Sequence, residues 1–333
     1  MILVFVETDA TGAAEPSLEA VTFARELATR DSGDLAGQPI HALVVGDLPA
    51  GTLDQLGGYG VSEVHHAVGD AFTAYGGAAW AAALQAAQQS TGATAVTASG
   101  SPRGNEVLAH LAARLDVAMA ANVVGCAPYS EDTGPFVVTR QVVGGAVLEE
   151  MRLDDRPAVF SVAGHAVEAT PAGNPAVPTV HELSPELGPA DLVARVASTE
   201  PGAPDRSGSL RSARVVVGAG RGAGGADGFE ACIELAELLD GALGVSRVVT
   251  SLGWRPHHEQ VGQTGSRISP EVYIPCGISG AIQHWAGCAS SKTIVAVNTD
   301  PDAPMVSKAT YAVIGDMHEV VPAVNEELRR RRG

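Results

Sequence analysis

Residues 261–287 hold two short loops, Gly262-Gln-Thr-Gly265 and Gly277-Ile-Ser-Gly280, on either side of a brief apolar run. Small residues there let the backbone approach a ligand closely, and Thr264, Ser279, Gln283 and His284 add neutral hydrogen-bonding side chains. Backbone access combined with several uncharged polar groups suits a large, flat, polar-edged ligand with a phosphate tail. A flavin dinucleotide has that shape and chemistry.

A second glycine-rich stretch, Gly218-Ala-Gly220-Arg-Gly222-Ala223, follows an expected strand and formally matches Gly-x-Gly-x-x-Gly/Ala. A nicotinamide site would need the helix to begin within the motif and an acidic residue at the end of the next strand. Here Asp227 and Glu230 have the spacing of an N-cap box, which delays the helix to about residue 228. The next strand, expected over 245–250, closes on Val249-Thr250-Ser251 with no carboxylate, so a nicotinamide cofactor is disfavoured. What remains is a longer loop carrying Arg221, which is either a plain strand–helix turn or a diphosphate cradle of backbone N–H groups and one guanidinium.

Ser246-Arg247 stands where that next strand is expected to begin. Set among Val245, Val248 and Val249, the Arg247 cation either snorkels to solvent or faces a negative ligand. A lone histidine near a helix start, as His284 is, is more often a structural hydrogen-bonder than a ligand contact. Asn298-Thr-Asp300 and Gly315-Asp316 each lie just past a strand, at the carboxyl edge where open α/β sheets bind ligands, and each is equally good turn chemistry. His257-His258-Glu259 has metal-binding residue types, but adjacent histidines rarely share an ion and no third ligand has sensible spacing. No metal is expected.

These loops need a scaffold of strands and helices. Strands are expected at 1–6, 40–45, 62–68, 94–98, 136–142 and 158–162, with helices at 17–30, 78–89 and 104–115 between them. Residues 170–209 carry seven prolines with scattered Gly and Ser, and read as a late strand merging into a linker with a boundary near 205. A second alternating unit follows: strands at 214–218, 245–250, 271–274, 293–297 and 311–315, with helices from 228, 280 and 317. The fold class is therefore α/β, two doubly wound, mostly parallel sheet domains spanning 1–205 and 206–333.

Composition agrees. A chain of 333 residues with 45% hydrophobic and only 4% aromatic content suits small-residue α/β layers. A formal charge of −17 argues against nucleic acid as a partner. The basic run Arg329 to Arg332 reads as solvated cations complementing the dipole of a last helix. Cys126, Cys232, Cys276 and Cys288 have no paired spacing and read as reduced. No apolar run is long enough to cross a bilayer and the first residues open as a strand, so no membrane insertion and a cytoplasmic location are expected.

Taken together, the chain resembles the α subunit of electron-transfer flavoproteins. The resemblance rests on Gly220-Arg-Gly222, Ser246-Arg247, Val261-Gly-Gln-Thr-Gly265, Pro270-Glu-Val-Tyr-Ile274, Gly277-Ile-Ser-Gly-Ala-Ile-Gln-His284, Val295-Ala-Val-Asn298-x-Asp300, Ala303-Pro304 and Asp316. Phe5-Val6-Glu7, Gly104-Asn105, Ala112-Ala-Arg-Leu115 and Val159-Phe-Ser-Val162 extend it more loosely through the N-terminal part.

The resemblance implies one FAD in the C-terminal domain and a separate β subunit, carrying AMP, that contacts the N-terminal domain. It places Arg221 and the Ser279 loop at the phosphates and ribityl chain, Thr264 toward flavin N5, Arg247 against the isoalloxazine and His284 near its N1/O2 edge. Gln263, Gln283, Asn298 and Asp316 would hold the adenosine and ribityl parts. Gln260, Val261, Gly262, Gly265, Gly277, Ile278, Gly280, Ala281, Thr299 and Asp300 complete the expected lining. The implied function is electron carriage from flavin dehydrogenases, such as acyl-CoA dehydrogenases of fatty acid β-oxidation, to a membrane quinone oxidoreductase, with no substrate transformed by the protein itself. An electron-bifurcating NADH-oxidising relative is the alternative, and a nucleotide-binding domain with a purely structural FAD is a further one.

One-electron reduction puts negative charge on N1 and O2, which a nearby cation and donor stabilise. A charge pair ~4 Å apart near a protein surface is worth about 4 kcal/mol before desolvation, so Arg247 would move the potential by on the order of 100 mV. Thr299, Cys276, Trp285 and Cys288 depart from the family pattern of Lys, small apolar, Leu and Met.

Overall fold

Runs such as Ile2–Val6 and Ala158–Val162 are buried at every residue, as strands must be when helices cover both faces of their sheet. The computed structural model describes residues 1–29, 35–127, 136–143, 147–198, 210, 212–263 and 265–332. The chain divides into two compact units, Met1–Gln141 with Leu148–Glu200 and Val142–Val147 with Pro201–Gly333. The boundary expected near 205 falls outside the described residues.

In the first unit the elements run β1 (Ile2–Val6), β2 (Thr8–Asp9), β3 (Gly12–Ala13), α1 (Glu15–Ala28), β4 (Ile40–Val45), α2 (Thr52–Gly58), β5 (Glu63–Ala67), α3 (Gly77–Thr91) and β6 (Ala95–Ser99). They continue with α4 (Pro102–Leu115), β7 (Met119–Cys126), β8 (Val137–Val142), β9 (Val147–Arg152), β10 (Ala158–Val162) and β11 (Thr179–Leu183). The late strand expected in the proline-rich stretch is β11. The sheet order is β11-β5-β4-β1-β6-β10-β7-β8-β9, parallel from β11 to β7, with β8 antiparallel to β7. Successive side chains of β1 enter opposite cores, Ile2 and Val4 on one face and Leu3 and Phe5 on the other.

The second unit contains β12 (Val215–Ala219), α5 (Glu230–Leu238), β13 (Ala242–Val245), α6 (Arg247–Ser251), β14 (Val272–Cys276), α7 (Ile282–Cys288), β15 (Thr293–Asn298), α8 (Pro304–Lys308), β16 (Tyr311–Ile314) and α9 (Met317–Arg332). Its five strands are all parallel, in the order β13-β12-β14-β15-β16. That order changes direction between β12 and β14, which opens a crevice at the carboxyl ends of the strands. Phe229, Leu235 and Val217 fill the core on one face of the sheet, and Tyr273, Ile278 and Met305 fill the other.

Two sequence expectations are corrected here. The strand expected at 245–250 stops at Val245, and Arg247–Ser251 is the helix α6. A short run of valines does not distinguish strand from helix by periodicity. The extended backbone of Ser246 ends the strand, and only Val249 of the following valines is buried in the core, while Val248 is 38% exposed. The capping box at Asp227 and Glu230 does not form, since the N-cap of α5 is Phe229 and no side chain caps it. The chain before it is taken up by a tight turn at Arg221–Ala223.

Candidate functional site

The loops that leave the carboxyl ends of β12 to β16 enclose a cavity of about 580 Å³. Its walls come from Arg221 and Gly222 after β12, Ser246 to Val248 after β13, Gln260 to Gln263, Gly277 to Ala281 with Gln283 and His284 after β14, Asn298 to Asp300 after β15, and Gly315 to Met317 after β16. Nearly every residue singled out in the sequence therefore meets at one place. Gly220 and Gly265 stand behind the walls, and Thr264 lies outside the described residues. Val248, Val297, Ala303 and Met317 also line the cavity without having been expected as ligand contacts. None has a polar side chain that marks it in sequence.

The glycine loops are shaped by loop-to-loop contact. Gly220 N donates to the Cys276 carbonyl at 3.0 Å and Gly222 N to the Gly277 carbonyl at 3.2 Å. Those two amides are thus engaged by the neighbouring strand's loop, which corrects the idea that they face a diphosphate. Arg221, exposed at the cavity, is the part of that idea that survives. Gly280 has φ +80°, and a Cβ there would sit 2.4 Å from the Met305 amide nitrogen, so only glycine fits. Gln263 N donates to the Gln283 carbonyl at 2.8 Å, stitching the 261–265 loop to the start of α7.

Several polar side chains brace the walls. Asn298 Nδ2 donates to the Ile278 carbonyl at 3.0 Å, holding the β14 loop, while its Oδ1 accepts from Asp300 N at 3.1 Å. Asp316 Oδ1 accepts from His318 N at 2.9 Å, and Asp300 Oδ1 from Asp302 N at 2.9 Å. These are the turn roles the residue types allow. Buried Glu259 is held by Arg255 through bonds of 2.7 and 2.5 Å, so its carboxylate belongs to an ion pair that anchors the approach to Gln260. Gln260 Oε1 accepts from Thr250 Oγ1 at 2.7 Å.

Two groups on the walls have hydrogen-bonding capacity to spare. Ser246 Oγ is buried with no hydrogen-bond partner. His284, 7% exposed, meets the hydroxyl of fully buried Tyr273 at 2.7 Å through Nε2, and its Nδ1 has no partner within hydrogen-bonding geometry. Burial lowers the His284 pKa to about 4, with the Val261 backbone partly opposing, so the ring is neutral at neutral pH. Burial also raises the Tyr273 pKa well above the usual phenol value, so its hydroxyl keeps a proton to donate. A neutral ring that accepts at Nε2 carries its own hydrogen on Nδ1. Arg247, also at the cavity, is exposed.

Comparison with known proteins adds an independent line. Residues 209–289 match the family model described as the electron transfer flavoprotein FAD-binding domain, and residues 2–186 match the electron transfer flavoprotein domain. The chain is 34% identical over 334 residues to the electron transfer flavoprotein subunit alpha of Mycobacterium leprae, covering 99% of each chain. It is 34% identical over 335 residues to that of Mycobacterium tuberculosis, covering 100% of this chain and 99% of the relative. With that of Bacillus subtilis it shares 33% over 229 residues, or 68% of each.

Proposed function

The chain belongs to the electron-transfer flavoprotein family as an alpha subunit, and on that premise we propose that it is the FAD-holding half of a two-subunit electron carrier. Its C-terminal unit carries the family's FAD-binding domain. Electrons would come from flavin dehydrogenases, among them acyl-CoA dehydrogenases, and leave to a membrane quinone oxidoreductase, with the β subunit docked on the N-terminal unit. No helix among the described residues is long and apolar enough to cross a membrane, in keeping with a carrier that travels between its partners.

The observation that supports the reading most is the buried, unpartnered Ser246 Oγ on the wall of a cavity of about 580 Å³ at the sheet's switch point. A cavity of that size falls within the range of cofactor sites, ~300–1,000 Å³. A buried hydroxyl without a partner is costly unless a ligand supplies one. The residues thus fit a flavin dinucleotide: Arg221, Ser279, Gln263 and Gln283 would hold its polar tail, and Ser246, Arg247 and His284 the isoalloxazine. Bound FAD supplies one-electron redox chemistry. The protein's own part is to exclude water, to present a neutral imidazole donor at Nδ1, and to set a guanidinium beside the ring.

Arg247 tests the assignment. A cation ~4 Å from developing charge shifts a one-electron potential by on the order of 100 mV, and solvent screening of an exposed side chain trims that to some tens of millivolts. Arg247→Ala in the protein coexpressed with its partner subunit should therefore lower the midpoint potential measured by spectroelectrochemistry, with FAD still bound. An unchanged potential removes Arg247 from the mechanism. A wild-type preparation that is colourless and takes up no added FAD sinks the whole reading.

A further inference from the structure

Three adjacent strands of the first unit bring together a cluster that no single stretch of sequence displays. His41 on β4 pairs across the ladder with Glu63 on β5, and His65, two residues further along β5, pairs with His181 on β11. Because side chains alternate along a strand, all four emerge on one face of the sheet. His41 Nδ1 lies 3.4 Å from His65 Nε2 and 3.5 Å from Glu63 Oε2, and His181 Nε2 lies 3.0 Å from the same Glu63 oxygen. The ligating atoms of His41, Glu63 and His65 all fall within 4.8 Å of one another.

From these distances we propose that His41, Glu63 and His65 form a site for a zinc-type divalent transition metal, beside which His181 holds the Glu63 carboxylate. Ligands ~2.0 Å from a tetrahedral zinc are separated from each other by about 3.3 Å, and His41 Nδ1 stands 3.4 Å from His65 Nε2 and 3.5 Å from Glu63 Oε2. The residue types agree, because two imidazoles and one carboxylate favour zinc, copper or nickel over magnesium or calcium.

The ring centroids of His41 and His65 lie 5.6 Å apart and those of His65 and His181 5.4 Å apart, in nearly parallel planes. His65 is 6% exposed, whereas the side chains of Glu63 and His181 are 38% and 48% exposed. The site is therefore walled on the sheet side and open to an arriving ion on the other.

Three protein ligands leave one position of a tetrahedral ion for water. The ion would tie β4 to β5, and the His181–Glu63 contact carries that tie to β11, a largely exposed strand at the sheet's edge. Edge strands are where sheets fray and mispair, so a clamp there has a purpose.

The test uses the full-length chain, with its FAD and partner subunit, stripped of metal by chelation and titrated with cobalt(II). The expected result is the strong visible absorption of four-coordinate cobalt at one ion per chain, displaced by zinc, with the thermal midpoint rising as zinc is added. His41→Ala and His65→Ala should each weaken cobalt binding at least about tenfold. His258→Ala, in the adjacent-histidine stretch, should leave it unchanged. Absence of four-coordinate cobalt in the wild-type protein overturns the proposal, as does binding that survives His41→Ala or is lost in His258→Ala.

Discussion

At the scale of single residues, the Tyr273–His284 pair is where the site's chemistry is most finely set. Tyr273→Phe would leave Nε2 of a buried imidazole without its donor, which costs about 1–3 kcal/mol in a urea unfolding titration. It would also free the ring to exchange tautomers, so the FAD midpoint potential should move while FAD content holds. A purely structural tyrosine would change the first reading and leave the second alone. The pH dependence follows from the depressed His284 pKa of about 4. The unfolded ring titrates near ~6.5, so below that the unfolded state binds more protons. The contribution of a neutral His284 is complete above ~6.5, declines as pH falls, and is gone below about 4, up to about 3 kcal/mol in all. His41 and His65, also lowered, add to the same slope. The share belonging to His284 is the difference between wild type and His284→Gln in chemical unfolding between those limits, and parallel curves would assign it elsewhere.

At the scale of elements, the walls depend on loops held by a few internal bonds. Arg255 anchors the carboxylate of Glu259, which is 5% exposed, immediately before Gln260 and Val261 enter the cavity wall. Arg255→Ala strands that charge, and removing one partner of a buried pair costs about 3–5 kcal/mol. The Arg255 side chain is 27% exposed, so the lower end applies. The expected outcome is a lower unfolding midpoint together with weaker FAD retention on gel filtration; retention at wild-type level would detach this anchor from the site.

The same scale shows what could be read beforehand. Strand β4 and the alternation of both sheets follow from runs of small apolar residues, and the site's loops from glycines beside polar groups. The helix α6 was hidden, because Val248 and Val249 favour a strand by type and only burial reveals which one faces the core. Tyr273 was visible as a family residue but not as a partner of His284, since that contact spans a strand and a helix. The histidine cluster was invisible for a related reason: His41, His65 and His181 become neighbours only through strand register.

At the scale of the whole molecule, each unit has its own buried cores, and the cavity lies wholly in the second. A ligand that binds only the folded state stabilises it by about 2.7 kcal/mol when present at a hundred times its Kd. Removing FAD should therefore lower one calorimetric transition, that of the C-terminal unit, and leave the N-terminal one in place. If both fall together, the two units unfold as one cooperative body.

The amides of Gly220 and Gly222, bonded into the carbonyls of Cys276 and Gly277, fix two of the cavity's walls when the chain folds. Their freedom is surrendered before any guest arrives. An incoming dinucleotide consequently meets a mould already cast, and less of its affinity is spent on freezing polypeptide.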